Sequence, residues 1–318
     1  MRFIVKILFS IVLVIAGANF AFGQIPAAQF DLETILRKAA RQTVVYEEEF
    51  KNLIAKETKT FEKYDKNGEI KKQNVIESNF TVIQSEKDKK LASEFRNIIS
   101  VDGKPIPDAE KRSAEFFAQL RKSSSVEKEL EKIQAEGSRY DKNLEISGLT
   151  LSPAVVLSDN LRPFFNFQLL GSENIQGNEV YLLGYQQTKK SPFILINEKN
   201  NNSKDLSLNY NLDLPSSIKK SDVFLRGKLW IDAKTLQLWR EERELAAQTE
   251  NPFVLMRSDF EYQPSDYGIL VPKQISLIQY NAKNSKKNQS NAVKDTQVKF
   301  DYSRFTKSGS EVKILDGN

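Results

Sequence analysis

Carboxylates are the candidate catalytic side chains in this chain. The 318 residues include no histidine and no cysteine, which excludes histidine-based triads, thiolate nucleophiles and zinc sites with His or Cys ligands. Paired carboxylates can hydrolyse glycosidic bonds without those residues. The candidates are two runs of acids, Glu47-Glu48-Glu49 and Glu241-Glu242. Adjacent acids among Arg and Lys residues usually form a solvated face, so we expect no enzymatic activity and keep a carboxylate hydrolase as an alternative.

The sequence also lacks the features of nucleotide and nucleic-acid binding proteins. Neither the GxGxxG nor the GxxxxGK[ST] loop occurs, and these are the loops that cradle nucleotide phosphates. The net charge of +5 is small for a chain of this length and is not a nucleic-acid footprint. We predict no cofactor, no metal site and no nucleic-acid partner.

The N-terminus has the three parts of an export signal. Arg2 and Lys6 are positive, residues 7–16 are apolar, and residues 21–23 form a small-x-small cleavage site. A membrane anchor would need roughly 20 apolar residues, more than this run provides. We therefore predict a signal peptide at 1–23 and export to the periplasm, with the extracellular space as the alternative, and no transmembrane segment after cleavage.

The absence of cysteine bears on the compartment and on membrane attachment. Small secreted animal domains tend to depend on disulfides, so a cysteine-free exported chain of this size indicates a bacterial envelope protein with an ordinary hydrophobic core. The cleavage site is not followed by the cysteine of a lipid-anchored lipoprotein. Residues 24–318 are predicted to form a single domain.

One predicted hairpin positions the second pair of acids. Its strands are residues 223–231 and 236–244, joined by a polar turn at 232–235, and the first strand alternates between two unlike faces. One face carries Val223, Leu225, Leu229 and Ile231, with Gly227 between them, and the other carries Phe224, Arg226, Lys228 and Trp230. If the Leu225 face is the interior, Trp230 lies outside.

The other elements follow from periodicity, caps and turns. A helix is predicted from an Asp31 cap to about residue 49, and Asn67-Gly68 predicts a hairpin with a type I′ turn. Further strands are predicted at 53–64, 69–84, 91–101, 164–170, 179–186, 253–262, 269–280 and 296–305. A helical segment is predicted near 107–158, and residues 194–220 are predicted to be an irregular loop.

About ten strands in meander order predict an antiparallel sheet, since each connection is local. Such a sheet must cover one face with apolar groups, and the amphipathic helices can supply them. The predicted fold class is therefore α+β: a curled antiparallel sheet, unclosed and half-barrel-like, that wraps around the N-terminal helix and a central helical lid.

Short stretches of the C-terminal hairpins resemble a known family. Leu-Trp-Ile-Asp-Ala-Lys-Thr at 229–235, followed by Trp-Arg-Glu-Glu-Arg at 239–243, resembles a hairpin of the periplasmic lipoprotein-localisation carriers, the LolA/LolB-like superfamily. Phe-Glu-Tyr at 260–262 and Asp-Tyr-Gly at 266–268 resemble the hairpin that follows it. The similarity is best over residues 222–305. It implies an unclosed sheet with an apolar cavity under a helical lid, which binds acyl chains without catalysing a reaction.

Apolar strand residues are the candidate lining of that cavity. They are Phe165, Phe167, Leu169, Val180, Leu182, Leu225, Leu229 and Ile231. Strand residues of these types also make up ordinary sheet cores, so core filling is the alternative. Burial is worth about 0.8 kcal/mol per methylene, enough for an acyl chain to bind without polar contacts.

Two functions are consistent with these features. The first is an exported, non-catalytic envelope protein that binds an acyl chain, a lipid or a lipoprotein in the cavity. The alternative is a protein-interaction or sensor module of the cell envelope, whose sheet edge or groove receives a peptide partner.

Overall fold

The structure is a computed structural model that describes residues 30–308 with gaps. The gaps are 85–91, 121–124, 138, 140–148, 198–206, 213, 215, 217, 249–252 and 282–292. The predicted signal peptide at 1–23 lies outside the described residues. Both the signal peptide and the assignment of 24–318 to a single domain therefore stay predictions.

The first described element is helix α1 (Leu32–Phe50). The Asp31 carboxylate caps it by accepting hydrogen bonds from the Thr34 backbone N–H at 2.9 Å and from the Thr34 hydroxyl at 3.0 Å, which satisfies an N–H that has no partner within the helix. One stripe of the helix is buried: Ile35, Leu36, Ala39, Tyr46 and Phe50. The predicted cap is confirmed, and the predicted end is correct to within one residue.

The strands of the described residues have the following bounds. They are β1 (Leu53–Tyr64), β2 (Ile70–Gln84), β3 (Ala92–Val101), β4 (Lys104–Pro105), β5 (Phe165–Ile175), β6 (Asn178–Gln187), β7 (Ile194–Ile196), β8 (Leu208–Tyr210), β9 (Val223–Asp232), β10 (Leu238–Ala247), β11 (Phe253–Gln263), β12 (Val271–Tyr280) and β13 (Lys294–Lys307). β7 and β8 pair with each other in parallel. The remaining 11 strands form one sheet in the order β4-β3-β2-β1-β13-β12-β11-β10-β9-β6-β5.

This sheet is antiparallel and unclosed. β1 pairs with β13, with Phe61 opposite Val298, and this pairing joins the N-terminal meander to the C-terminal one. β4 and β5 are the two outer strands among the described residues. The predicted α+β class with an unclosed antiparallel sheet is confirmed.

The inner face of the sheet, defined as the face on which α1 packs, carries the main apolar core. Its most buried residues include Phe80, Leu225, Leu229, Ile275 and Phe300, none more than 1% exposed. Three segments cover this face: α1, the described residues between 149 and 164, and those between 193 and 218.

The stretch predicted as an irregular loop at 194–220 is more ordered than expected. It contains β7 and β8, and Ile196, Leu212 and Ile218 are buried in the main core. These apolar residues lie on either side of a polar run rich in Lys, Asn and Ser. The polar composition of that run concealed the fact that its two ends contribute to the core.

Two further helices, α2 (Ala109–Leu120) and α3 (Val126–Gly137), pack on β3. Phe95 of β3 contacts Phe116 and Phe117, with ring centroids 5.4 Å and 5.0 Å away, in a small cluster that also buries Ile133. Because successive side chains of a strand alternate, Phe95 faces away from the inner-face residue Arg96. These helices therefore stabilise one end of the sheet, whereas the predicted central lid would cover the main core.

The type I′ turn predicted at Asn67-Gly68 occurs in a different hairpin. At the predicted site Gly68 has a φ of 82° but Asn67 does not have a positive φ, because the Asp65 carboxylate accepts the Asn67 N–H and shapes the turn. Between β5 and β6, Gln176 and Gly177 have φ values of 51° and 85°, the two positive values that a type I′ turn requires. The β5–β6 strands are therefore longer than the sequence predicts.

Candidate ligand-binding site

A cavity lies where α1 crosses the ends of two hairpins on the inner face. It is lined by α1 between 39 and 46, the turn at 153–157, the β9–β10 connection between 231 and 238, and the β11–β12 connection between 262 and 270. The helix reaches this point because its buried stripe, spaced by three or four residues, continues past Ala39 to Tyr46.

The cavity is small and mostly apolar. The volume open to the centre of a water-sized sphere is about 20 Å³, and a single water needs about 10–15 Å³ by the same measure. It therefore holds a water or a group of similar size. An acyl chain is much larger than this volume, so it would fit here only if α1 or the turn at 153–157 moved away from the sheet.

Tyr46 and Tyr262 supply phenol groups at the cavity. The two rings meet edge to face with centroids 6.2 Å apart. The Tyr46 hydroxyl donates a hydrogen bond to the Thr150 carbonyl oxygen at 2.8 Å. The Tyr262 hydroxyl has no hydrogen-bond partner among the described residues, although Tyr262 is only 4% exposed. Burial, with a smaller contribution from the charge of Glu241, raises the pKa of Tyr262 far above its ordinary value, so this phenol is neutral and can donate a proton.

Near the cavity, polar contacts join α1 to the covering segment, defined as residues 149–157, and the covering segment to the sheet. Thr150 donates two hydrogen bonds to Glu94 Oε1 on β3, one from its backbone N–H and one from its hydroxyl, both at 2.8 Å. Ser152 donates from its hydroxyl to Glu47 Oε1 on α1 at 2.8 Å. α1 is thus tied to the covering segment, and the covering segment is tied to the sheet.

A buried ion pair lies on the inner face of β10. Arg243 donates from Nε and Nη2 to the two carboxylate oxygens of Glu241, both at 2.9 Å, and the Tyr185 hydroxyl donates to the same carboxylate at 2.9 Å. The guanidinium also lies 4.8 Å from the centre of the Phe260 ring, and Tyr210 of β8 is close to it. Neither member of the pair is more than 7% exposed, so each charge depends on the other.

A second buried ion pair lies between β1 and β3. Arg96 donates from Nε to Glu57 at 2.8 Å and from Nη1 to Glu94 at 3.1 Å. Its guanidinium stands 5.3 Å from the ring centre of Phe80 and 5.5 Å from that of Phe300. Because Glu94 also accepts from the covering segment, this network joins the cover to the sheet.

The acids considered for catalysis are not arranged to act together. Glu241 and Glu242 are adjacent on β10 and therefore project to opposite faces. Glu242 forms ion pairs with Arg240 at 2.5 Å and with Arg257 at 3.3 Å. The prediction that both acids lie on a solvated face is wrong for Glu241, which is 1% exposed, because its charge is compensated by Arg243.

The three acids on α1 also differ from one another. Glu47 is half-buried, and burial raises its pKa although the Ser152 hydroxyl acts to lower it. Glu48 is exposed and pairs with Lys51. Glu49 is half-exposed on the same turn. The structure therefore brings one of the three, Glu47, into contact with the covering segment.

The residues predicted to line a cavity divide between the two faces of the sheet. Six belong to the main core on the inner face or pack against it: Phe165, Phe167, Leu169, Leu225, Leu229 and Ile231. Val180 and Leu182 pack on the opposite face with Trp230 and Trp239. Of the eight, Ile231 lines the cavity, and contact of the others with a ligand stays a prediction.

The cluster on the opposite face confirms the expected direction of Trp230. Trp230 faces away from Leu225 and is nevertheless buried, at 5% exposure, because Val180 and Trp239 pack on it. A β-bulge at Trp239 places that ring on the same face as Arg240, whose guanidinium lies 4.7 Å from the Trp230 ring centre. Alternation predicts the face, but the sequence does not reveal the bulge.

Several cavity residues were not identified from the sequence. Gln42, Thr43 and Tyr46 extend the apolar stripe of α1 by one turn, so helical spacing would have found them. Tyr262 lies in a stretch that resembles the carrier family, but only the structure shows that its hydroxyl lacks a partner. Among the described residues, no group of three acidic side chains is arranged to hold a metal ion, and none of the described helices is both long and apolar enough to cross a membrane.

The sequence matches no protein-family model and none of the curated proteins. Solved structures with a similar fold include a DUF1329 family protein from Desulfovibrio piger, with 11% identity, 87% of this chain and 93% of that chain covered, and a TM-score of 0.37. A putative outer membrane lipoprotein-sorting protein domain from Vibrio parahaemolyticus has 10% identity, coverages of 88% and 94%, and a TM-score of 0.36. A LolA superfamily protein from Nitrosomonas europaea has 10% identity, coverages of 91% and 98%, and a TM-score of 0.30. At these identities and TM-scores the similarity carries nothing about ligand or activity.

Proposed function

We propose that this protein is an exported, non-catalytic envelope protein that binds an acyl chain, a lipid or a lipoprotein between the inner face of its sheet and the cover formed by α1 and residues 149–164. The observation that carries the proposal is the construction of this cover. It is made of a helix and connecting segments that pack by side chains on an apolar sheet face, so it can separate from the sheet without breaking a strand pairing.

The polar contacts of the cover near α1 are few and local. Thr150 bonds to Glu94 on the sheet, and Tyr46 and Glu47 of α1 bond to Thr150 and Ser152. A hydrogen bond to a charged group contributes about 1.5–3 kcal/mol net, and a neutral one about 0.5–1.5 kcal/mol. Opening costs the Thr150–Glu94 hydrogen bonds together with apolar contact between the cover and the sheet, and an apolar ligand replaces contact of the second kind.

The energetics favour a long chain. Burial contributes about 0.8 kcal/mol per methylene, so a chain of about 14 methylenes supplies about 11 kcal/mol. That amount can offset the loss of contact between the cover and the sheet. A short or polar ligand would supply too little to keep the cover open.

A chemical cross-link across the cavity tests the proposal. Gln42 on α1 and Leu270 on the β11–β12 connection line the cavity from the cover and from the sheet. Because the chain has no cysteine, Gln42→Cys/Leu270→Cys introduces the only thiols. The purified mature protein is titrated with an environment-sensitive fluorescent fatty acid before and after reaction with a short bismaleimide. We expect saturable binding that lipid displaces, and its loss after cross-linking.

The matched control is the same double variant treated with N-ethylmaleimide, which modifies both thiols without joining them. It should bind as the untreated variant does. Absence of saturable binding to the unmodified protein would show that the proposal is wrong. Equal binding by the cross-linked and control forms would place the ligand elsewhere.

The alternative function has one observation in its favour. β5 (Phe165–Ile175) is an outer strand of the sheet among the described residues, and such a strand leaves backbone N–H and C=O groups that can pair with an extended peptide. Hydrogen exchange of the β5 amides, with and without envelope extract, tests this. If the extract protects the β5 amides, and if it loses this effect when its proteins are removed but not when its lipids are removed, a peptide partner is favoured over an acyl ligand.

A further inference from the structure

Among the described residues that line the cavity, Tyr262 carries a fully buried hydroxyl that has no hydrogen-bond partner. Thr43 donates from its hydroxyl to the Ala40 carbonyl oxygen at 2.7 Å, and Tyr46 donates to Thr150. The Gln237 side chain donates to the Gly268 carbonyl oxygen at 3.0 Å and accepts the Leu270 N–H at 2.6 Å. These three groups are committed to the protein itself, whereas Tyr262 lines the cavity with a buried hydroxyl that lacks a hydrogen bond among the described residues.

The charge around the cavity restricts what this hydroxyl could bind. None of the lining residues is charged, so an anionic group placed there would lose its hydration and gain no counter-ion. The buried Glu241–Arg243 pair acts on Tyr262 with charges of both signs, so it supplies no free counter-ion for an anion. A neutral acceptor fits, because the phenol is a neutral donor.

We propose that the Tyr262 hydroxyl donates a hydrogen bond to the carbonyl oxygen of an uncharged acyl ester or acyl amide, and that the protein selects such ligands over free fatty acids and over plain hydrocarbons. This inference rests on the proposed function and identifies the ligand class at the same site. The cavity accommodates a group about the size of a water, which is the size of a carbonyl oxygen. The apolar chain of the ligand lies along the inner face.

Displacement of a fluorescent acyl probe tests the assignment with three competitors of similar chain length: methyl palmitate, palmitate and hexadecane. The wild-type protein should bind methyl palmitate most tightly. Tyr262→Phe should weaken methyl palmitate by about 3- to 10-fold, the effect of one hydrogen bond, and should leave hexadecane unchanged. The melting temperature of Tyr262→Phe should be unchanged or higher, because the substitution removes a buried hydroxyl that has no partner.

Tyr302→Phe is the matched control, since Tyr302 is equally buried on the inner face, at 4% exposure, and does not line the cavity. It should leave all three affinities unchanged. The assignment is overturned if Tyr262→Phe weakens the ester no more than the hydrocarbon, or if palmitate binds as well as its ester. Wild-type protein that binds hexadecane but not the ester would overturn this assignment and leave the proposed function standing, whereas binding of none of the three would overturn both.

Discussion

Tyr185 on β6 lies directly opposite Gly227 on β9, and its phenol occupies the space that a side chain at 227 would need. A Cβ built at 227 would lie 2.4 Å from the Tyr185 hydroxyl oxygen and 2.0 Å from the carbonyl oxygen of Glu242. By crossing this glycine, the Tyr185 hydroxyl reaches Glu241 on the next strand, β10, and donates to it at 2.9 Å. A missing side chain on β9 thus allows β6 to stabilise the buried charge on β10.

Gly227→Ala should therefore destabilise the protein by about 2–3 kcal/mol, as expected when a packed core is overfilled. The added methyl group would displace Tyr185 and press on the β10 backbone. The measurement is the free energy of unfolding in urea.

Gly184→Ala is the matched control in the same strand pair. Its Cβ would lie 3.1 Å from the end of the half-exposed Leu170 side chain. Because that side chain can move, the loss of stability should be below about 1 kcal/mol. Equal effects would mean that the Tyr185 contact is unimportant.

The Glu241–Arg243 ion pair should behave as a unit. Arg243→Met leaves an uncompensated carboxylate at 1% exposure and should cost about 3–5 kcal/mol. Tyr185→Phe/Glu241→Leu/Arg243→Met removes both charges and the phenol that bonds to them, and should recover most of that loss, since apolar replacements of buried ion pairs are often neutral or stabilising. Unfolding in urea compares the two variants. A triple variant no more stable than Arg243→Met would contradict this account.

Most of the fold was predictable because its signals are local. Alternation in the hairpin sequences places Leu225 and Trp230 on opposite faces, and the cap at Asp31 marks the start of α1. The burial of Glu241 was not predictable, because it depends on a guanidinium two residues away and on a phenol from another strand pair. The position of α2 and α3 was not predictable either. Both helices pack on Phe95, and because β3 carries buried residues on both of its faces, alternation does not show which face the helices cover.

The candidate site was less predictable than the fold. The eight apolar residues proposed as its lining were chosen by alternation within single strands, which does not say which face the cover takes. Val180 fits the alternation of its own strand, but its side chain packs with Trp230 on the face opposite to the main core. Tyr262 could not be ranked above other strand tyrosines, because the absence of a hydrogen-bond partner is a property of the whole packed arrangement.

The β9–β10 turn should depend on pH through Asp232. Its carboxylate accepts the N–H groups of Lys234 and Thr235 at 2.9 Å and 2.7 Å and the Trp239 indole N–H at 2.9 Å. Burial acts to raise the pKa of Asp232, but these hydrogen bonds outweigh it and hold the pKa below its ordinary value. The carboxylate therefore contributes stability that is fully present above the pKa of the unfolded chain, about 3.9, and is lost as pH falls through the lower native pKa.

Asp232→Asn should remove this contribution, because an amide cannot accept from three donors as a carboxylate does. We expect a loss of about 1–3 kcal/mol at pH 7, measured by urea unfolding, and a smaller difference from wild type at pH 3. Asp266→Asn is the control, since Asp266 is exposed on the β11–β12 connection and should change little. A difference between wild type and Asp232→Asn that stayed constant from pH 7 to pH 3 would show that the charge is not responsible.

The contact between Thr150 and Glu94 should set how readily the cover opens. Thr150→Val keeps the shape of a side chain that is 0% exposed and the backbone hydrogen bond to Glu94, but removes the hydroxyl donor at 2.8 Å. A hydrogen bond to a charged group is worth about 1.5–3 kcal/mol, so the closed cover should lose about that amount relative to the open one. Amide hydrogen exchange in α1 should accelerate by roughly 10- to 100-fold, and the acyl probe should associate faster.

Ser152→Ala is the control, since it removes a neighbouring hydrogen bond, the one to Glu47, at a less buried position. It should accelerate exchange far less. If Thr150→Val accelerated exchange across the whole sheet as much as in α1, the effect would be global unfolding, and Thr150 would have no specific part in holding the cover closed.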